Sequence, residues 1–184
     1  MDRDLLARAY DRSADGYDDR FRALQREKYR AAAQLLAARL PPRGPVLDAG
    51  GGTALFAEWL ADAAEPFPEL RERLRSERLV VLDASVGMLR RARARAQLCA
   101  AGDLVRPPLR PGFALAVAFT SVLGEAAPAL RALSSLIAPG GALLVTFLAG
   151  EAPRPGWLAR ACRMRAAVGP VPAGQDRAFL LQQM

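Results

Sequence analysis

Short apolar runs recur along the chain at residues 45–49, 79–82, 98–101, 113–119 and 142–148, those at 79–82 and 113–119 without interruption. Between them lie stretches with helical spacing. Residues 21–40 carry Phe21, Leu24, Ala31, Leu35, Leu36 and Leu40. Residues 54–63 form a second such stretch, a third starts near Val86, and Leu130, Leu133, Leu136 and Ile137 share the face of a fourth. A strand without polar alternation is buried on both faces, which happens in a parallel sheet between two helical layers. Strand and helix alternate at least four times, so the pattern predicts a doubly wound α/β fold.

Punctuation refines this. Pro41, Pro42 and Gly44 end the first helix, and Ser85 is placed to cap the helix that starts near Val86. Residues 65–77 read as a loop and an exposed helical turn or two, an insertion rich in arginine and glutamate. Arg90, Arg91, Arg93 and Arg95 read as the wet side of their helix. Strands are expected at 162–168 and 178–182, with 174–177 as a polar hairpin. One domain is expected over 1–184, with a helical cap at 1–44, a core at 45–150 and the last two strands within 151–184.

Composition narrows the chemistry. Of 184 residues, 52% are hydrophobic and 24% charged, which is globular rather than disordered. No apolar run approaches the roughly 20 residues of a membrane span. The charged amino terminus lacks a signal core, so the cytoplasm is the expected location. There is no histidine and no Cys-x-x-Cys, which removes the usual zinc ligands and any serine–histidine–aspartate triad; Cys99 and Cys162 read as buried free thiols, and no metal site is expected. The net charge is +7, and Lys28 is the one lysine among 26 basic residues. The arginines are spread out and not interleaved with aromatics, so they read as solvated surface, with an acidic or nucleic-acid partner as the alternative.

The sharpest local feature is Asp48-Ala49-Gly50-Gly51-Gly52-Thr53, between a strand and a helix. Such glycines either make a tight turn or let a ligand lie on the main chain. Asp83 closes the second apolar run, where doubly wound folds place an acid on ribose hydroxyls; the alternative is a turn or capping aspartate. Leu55 stands where a dinucleotide loop needs its third glycine, which disfavours a dinucleotide. No P-loop lysine is present.

These residues resemble the motifs of class I S-adenosylmethionine-dependent methyltransferases. Val46-Leu47-Asp48-Ala49-Gly50-Gly51-Gly52-Thr53 is similar to the first motif and Leu82-Asp83-Ala84-Ser85-Val86-Gly87-Met88-Leu89 to the second. Ala101-Gly102-Asp103-Leu104 is similar to the third, and Leu136-Ile137-Ala138-Pro139-Gly140-Gly141 to the turn before the fifth strand. Residues 10–18, from Tyr10 to Asp18, resemble the entry segment of the ubiquinone/menaquinone-type branch. The resemblance spans residues 8–150 and implies a Rossmann-like, mostly parallel seven-stranded sheet. It also implies S-adenosylmethionine as cofactor and S-adenosylhomocysteine as product. By position, Gly50, Gly51 and Gly52 would approach the methionine part and Asp48 would orient its ammonium. Asp83 and the adjoining Ala84 would bind the ribose, and Met88 would pack on adenine. Asp103 would accept from the adenine amino group, Leu104 would lie on the ring, and Thr120 would line the floor near the sulfonium.

A sulfonium methyl is already activated, so alignment does most of the work and a missing histidine is tolerable. For a hydroxyl acceptor the candidate bases are Glu125, Tyr17 and Tyr10; alternatively Glu125 is a solvated helix-start acid and the tyrosines only pack. The departures are Ala54 at the third alternating glycine, Ala114 where Phe-Asp is common, and a short stretch at 149–161. They leave the acceptor pocket open, built by the amino-terminal segment, or completed in a homodimer. The expected acceptor is a small molecule. RNA or protein methylation, and a non-catalytic cofactor-binding subunit, are the competing readings.

Overall fold

The computed structural model describes residues 3–122, 126–165 and 168–183. Seven strands form one sheet in the order β3-β2-β1-β4-β5-β7-β6. They are β1 (Val46–Ala49), β2 (Leu79–Asp83), β3 (Leu98–Ala101), β4 (Phe113–Phe119), β5 (Ile137–Leu148), β6 (Val168–Ala173) and β7 (Asp176–Gln182). The first five run parallel, while β7 pairs antiparallel with both β5 and β6. The apolar runs at β1 and β4 are buried throughout, as strands covered on both faces must be. The edge strand β3 is partly exposed.

Among the described residues six α-helices cover the sheet: α1 (Arg3–Ala38), α2 (Leu55–Ala61), α3 (Pro68–Arg75), α4 (Val86–Ala92), α5 (Ala126–Ser135) and α6 (Pro155–Cys162). On one face Leu115, Val117, Leu144 and Leu180 pack against Leu35 and Leu36 of α1 and Phe56 and Trp59 of α2. On the other, Ala116, Leu143, Val145 and Phe179 pack against Leu130 and Leu133 of α5 and Leu158 of α6. Ala54, Val81, Leu89 and Ala92 seat α4.

The first helix starts at Arg3 and runs 36 residues, about 54 Å. Its buried positions from 14 to 28 are small or polar (Ala14, Asp18, Gln25, Lys28), so apolar periodicity is strongest over its last turns. Where a strand is expected from 162, α6 runs to Cys162 and Arg163 takes a left-handed conformation (φ 53°) that terminates the helix; the strand lies at Val168–Ala173. The arginine-rich insertion is not an exposed appendage, because Leu70, Arg71 and Leu74 of α3 are buried. Arg71 donates to the carbonyls of Leu60, Glu65 and Pro66 at 2.8–3.1 Å, tying the loop shut.

Many arginines are spent inside the molecule. Arg26 and Arg30 of α1 hold the buried Glu65 at 3.1 and 2.7 Å, and Arg26 also holds Asp62 at 2.7 Å. Arg95, expected on the wet side, is half-buried and joins Asp18 at 2.6 Å and Glu58 at 3.0 Å. These pairs clamp α1 across α2 and α4. Among the described residues no helix is long and apolar enough to cross a membrane.

Candidate functional site

The carboxyl ends of β1, β2 and β4 meet beneath the middle of α1. Ligands of open α/β sheets bind outside such strand ends, where the strand order reverses. Here the reversal falls between β1 and β4, at the glycine loop.

The loop is shaped by its neighbours as well as by its own freedom. Gly50 has φ +70°, and a Cβ on it would stand 2.3 Å from Cβ of Ser121, whose hydroxyl donates to the Ala49 carbonyl at 2.6 Å. A Cβ on Gly51 would stand 2.5 Å from the Asp48 carboxylate. Gly52 differs: its φ is +56°, yet a Cβ there would meet nothing within 4 Å. Ala54 keeps a glycine-like conformation (φ 63°, ψ 40°) with its methyl fully buried, so the replaced third glycine preserves the backbone path.

Asp48 is 2% exposed, and its Oδ2 has no hydrogen-bond partner among the described residues. Burial, and secondarily the charge of Asp83, push its carboxyl up to about 7. Asp83 Oδ2 accepts from Gly52 N at 2.9 Å and its Oδ1 from Ser85 N at 2.8 Å. Burial raises its pKa against the lowering effect of those bonds. Ser85 caps α4 by accepting from Met88 N at 3.1 Å, as its position in sequence predicts. Met88 is buried and Ala84 exposed. Asp103 Oδ1 accepts from Val105 N at 2.9 Å, shaping the turn after β3, and Leu104 is half-buried against the core on the α5 side of the sheet. Glu125 lies outside the described residues.

Residues from α1 face this edge. Tyr10 and Tyr17 pack edge to face, with ring centroids 6.2 Å apart. Burial, then neighbouring Tyr10, push the Tyr17 phenol up to about 12; burial and the charge of Asp83 also raise Tyr10. Gln25 donates from Nε2 to the Tyr17 hydroxyl at 3.4 Å, while its buried Oε1 is unpartnered. Tyr17, Gln25, Tyr29, Asp48, Gly50 and Gly51 wall a cavity of about 20 Å³, room for one water-sized or ammonium-sized group. Two residues of that wall, Gln25 and Asp48, each carry a buried acceptor oxygen, Oε1 and Oδ2, without a partner among the described residues.

Thr120 stands just past β4 with φ +52°, a strained region for a non-glycine residue. Its N–H donates to Thr146 Oγ1 at 2.9 Å, and its Oγ1 accepts from Lys28 Nζ at 2.6 Å. Sequence reasoning missed Gln25, Lys28 and Asp176, all buried at this edge. The lone lysine in an arginine-rich chain was the available signal. Asp176 was hidden in a segment that reads as a polar hairpin.

No protein-family profile and no curated protein sequence matches the chain. Solved structures do. A TehB-like SAM-dependent methyltransferase from Corynebacterium glutamicum superposes with a TM-score of 0.64 at 19% identity, covering 93% of this chain and 98% of that one. A putative S-adenosyl-L-methionine-dependent methyltransferase from Methanococcus maripaludis gives 0.67 at 14% identity, covering 95% and 93%. A SAM-bound amino pentose methyltransferase of calicheamicin biosynthesis, from Micromonospora echinaspora, gives 0.62 at 19%, covering 83% and 89%. This chain has the class I methyltransferase fold. At such identities the likeness is one of fold. Within that methyltransferase fold, the glycine loop, Asp83 and the β4 tip occupy the sheet edge described above.

Proposed function

We propose that this protein is an S-adenosylmethionine-dependent methyltransferase acting on a small-molecule acceptor. The observation that carries the reading is the pair of buried, unpartnered acceptor oxygens, Asp48 Oδ2 and Gln25 Oε1, in one small cavity beside the glycine loop. Buried polar atoms are almost always partnered, and two orphan acceptors together call for a donor-rich, cationic group such as an amino acid's ammonium. Asp83 accepts from Gly52 N on one oxygen and from Ser85 N on the other, and a carboxylate has further lone-pair capacity for ribose hydroxyls. Met88, Asp103 and Leu104 follow along the edge toward β3, where an adenine would extend. The residues present therefore fit the cofactor.

When bound, the cofactor supplies a sulfonium methyl already activated for transfer. The protein's part is to align the acceptor and exclude water, which can lower a barrier by roughly 7–11 kcal/mol in favourable cases. Tyr10 and Tyr17 serve this as an aromatic cover. With its phenol near 12, Tyr17 stays protonated at neutral pH and acts as a hydrogen-bond donor rather than a base. A small acceptor is favoured over RNA in that Arg22, Arg26, Arg71 and Arg95, half-buried or buried, are held by carboxylates and carbonyls of the chain and are withdrawn from any phosphate-binding face.

Calorimetry with S-adenosylhomocysteine tests the reading. Binding is expected, weakened about tenfold by Asp48→Asn and by Gln25→Leu. Binding of 5′-methylthioadenosine, which lacks the amino-acid portion, should be unaffected by either change. No binding of either nucleoside to the wild-type chain overturns the proposal.

A further inference from the structure

The sole lysine is buried in an unusual arrangement. Lys28, on α1, and Asp176, the first residue of β7, are 2% and 0% exposed, with Nζ 3.1 Å from Oδ2. The same oxygen accepts from Thr146 Oγ1 at 2.8 Å and from Thr120 Oγ1. Three donors therefore crowd onto Oδ2, while Oδ1 of the same carboxylate has no partner among the described residues. A carboxylate loaded on one side and bare on the other is fixed in place with its second oxygen left to receive a ligand's hydrogen bond.

Its location gives the bare oxygen a use. Thr120, Thr146 and Asp176 come from the tip of β4, the end of β5 and the start of β7, at the ligand-binding edge of the sheet. Phe119 and Gln25, which wall the small cavity, adjoin Thr120 in sequence and Lys28 by one helical turn. Thr120 is half-exposed and connects the network to the surface. The strained backbone of Thr120 is held there by Lys28 and Thr146. Arginine, used at 25 other positions, would bring a planar fork where a compact ammonium fits between Thr120 Oγ1 and Asp176 Oδ2.

We infer that Asp176 Oδ1 is the recognition point for the methyl acceptor and accepts a hydrogen bond from its neutral hydroxyl or amine, with Lys28 as the residue that positions it. The inference rests on the methyltransferase reading above. Lys28 neutralises the carboxylate, so the pair does not attract a cation, and a neutral O–H or N–H that donates a hydrogen bond to Oδ1 keeps a lone pair free.

Removing one partner of a buried pair strands the other charge, whereas replacing both with apolar residues of similar size is far better tolerated. The test therefore uses the double variant Lys28→Met/Asp176→Leu beside the wild type. Each is incubated with methyl-labelled S-adenosylmethionine and the small-molecule fraction of an extract of the source cells, and the labelled product is identified. Expected is a wild-type product methylated on oxygen or nitrogen. The double variant should bind S-adenosylhomocysteine within threefold of wild type yet show at least a thirtyfold higher KM for the acceptor. A KM within threefold of wild type, a product methylated on carbon or sulfur, or no product from a wild type that binds S-adenosylhomocysteine overturns the inference. A wild type that binds no nucleoside overturns the underlying reading instead. Should the double variant not fold, the wild type decides: with lysine labelled at 13Cε, Lys28 gives a single resonance. That resonance should move when the identified acceptor is added to protein saturated with S-adenosylhomocysteine. A stationary signal at saturating acceptor overturns the inference.

Discussion

Asp11 on α1 accepts a hydrogen bond from the Ser85 hydroxyl at 2.6 Å, and Ser85 in turn caps α4. The same Asp11 oxygen accepts from Gly87 N at 2.7 Å, and both bonds hold its carboxyl below the usual range. One exposed side chain thus fastens the amino-terminal half of the cap to the first turn of the helix that follows Asp83. Asp11→Ala should cost about 1 kcal/mol, the scale of a lost helix cap. It should speed hydrogen exchange in residues 4–15 and at Gly87 more than in the core strands. Unchanged exchange at Gly87 would show that the clasp does not hold.

Asp48 gives a pH signature. Its carboxyl is raised from 3.8 to about 7, first by burial. Between those values the folded chain keeps a proton that the unfolded chain has released. Its contribution to stability is therefore complete below about pH 4 and is lost as pH rises through 7. Thermal melting should show wild type losing stability relative to Asp48→Asn from pH 5 to 8. Affinity for S-adenosylhomocysteine should climb over the same interval, because an ammonium pairs with the ionised carboxylate. Parallel melting curves for the two proteins would refute the assignment.

Asp83→Ala should weaken S-adenosylhomocysteine binding by about 1–3 kcal/mol, the scale of charged hydrogen bonds to ribose. It should also lower the melting temperature, because Gly52 N and Ser85 N lose their acceptor. Asp83→Asn retains an acceptor for one of them and should recover part of the stability without the affinity. Calorimetry on a folded variant with wild-type affinity would remove Asp83 from the ribose site.

Two glycines should respond in opposite directions. Gly50→Ala forces a left-handed alanine, at about 1–2 kcal/mol, and drives its Cβ into Ser121. Gly16 lies inside α1 with nothing within 4 Å of a Cβ. Gly16→Ala should therefore stabilise the chain by about 0.5–1 kcal/mol through helix propensity. Urea denaturation distinguishes the two, and a stabilised Gly50→Ala would contradict the loop geometry.

The strands β2 and β4 could be read directly because residues buried on both faces of a sheet form a nearly unbroken apolar run, and β1 because Asp48 is its one interruption. The Ser85 cap was legible because its bond closes within three residues. The middle of α1 was not. Its inward side meets the open edge of the sheet rather than a core, so it carries Asp18, Gln25 and Lys28 where periodicity looks for leucine. The end of α6 was likewise misread, because a left-handed Arg163 leaves no trace in hydrophobicity.

Local spacing and burial pattern by themselves determined the alternation of strand and helix, the glycine turn and the acid that follows the second strand, since each is enforced within a few residues of backbone. Only the tertiary structure brought Lys28 to Asp176 across 148 residues, put Gln25 into one cavity with Asp48, and turned apparently solvated arginines into internal clamps. Those pairings depend on which face of a long helix lands on which strand end, and packing, not sequence neighbourhood, sets that.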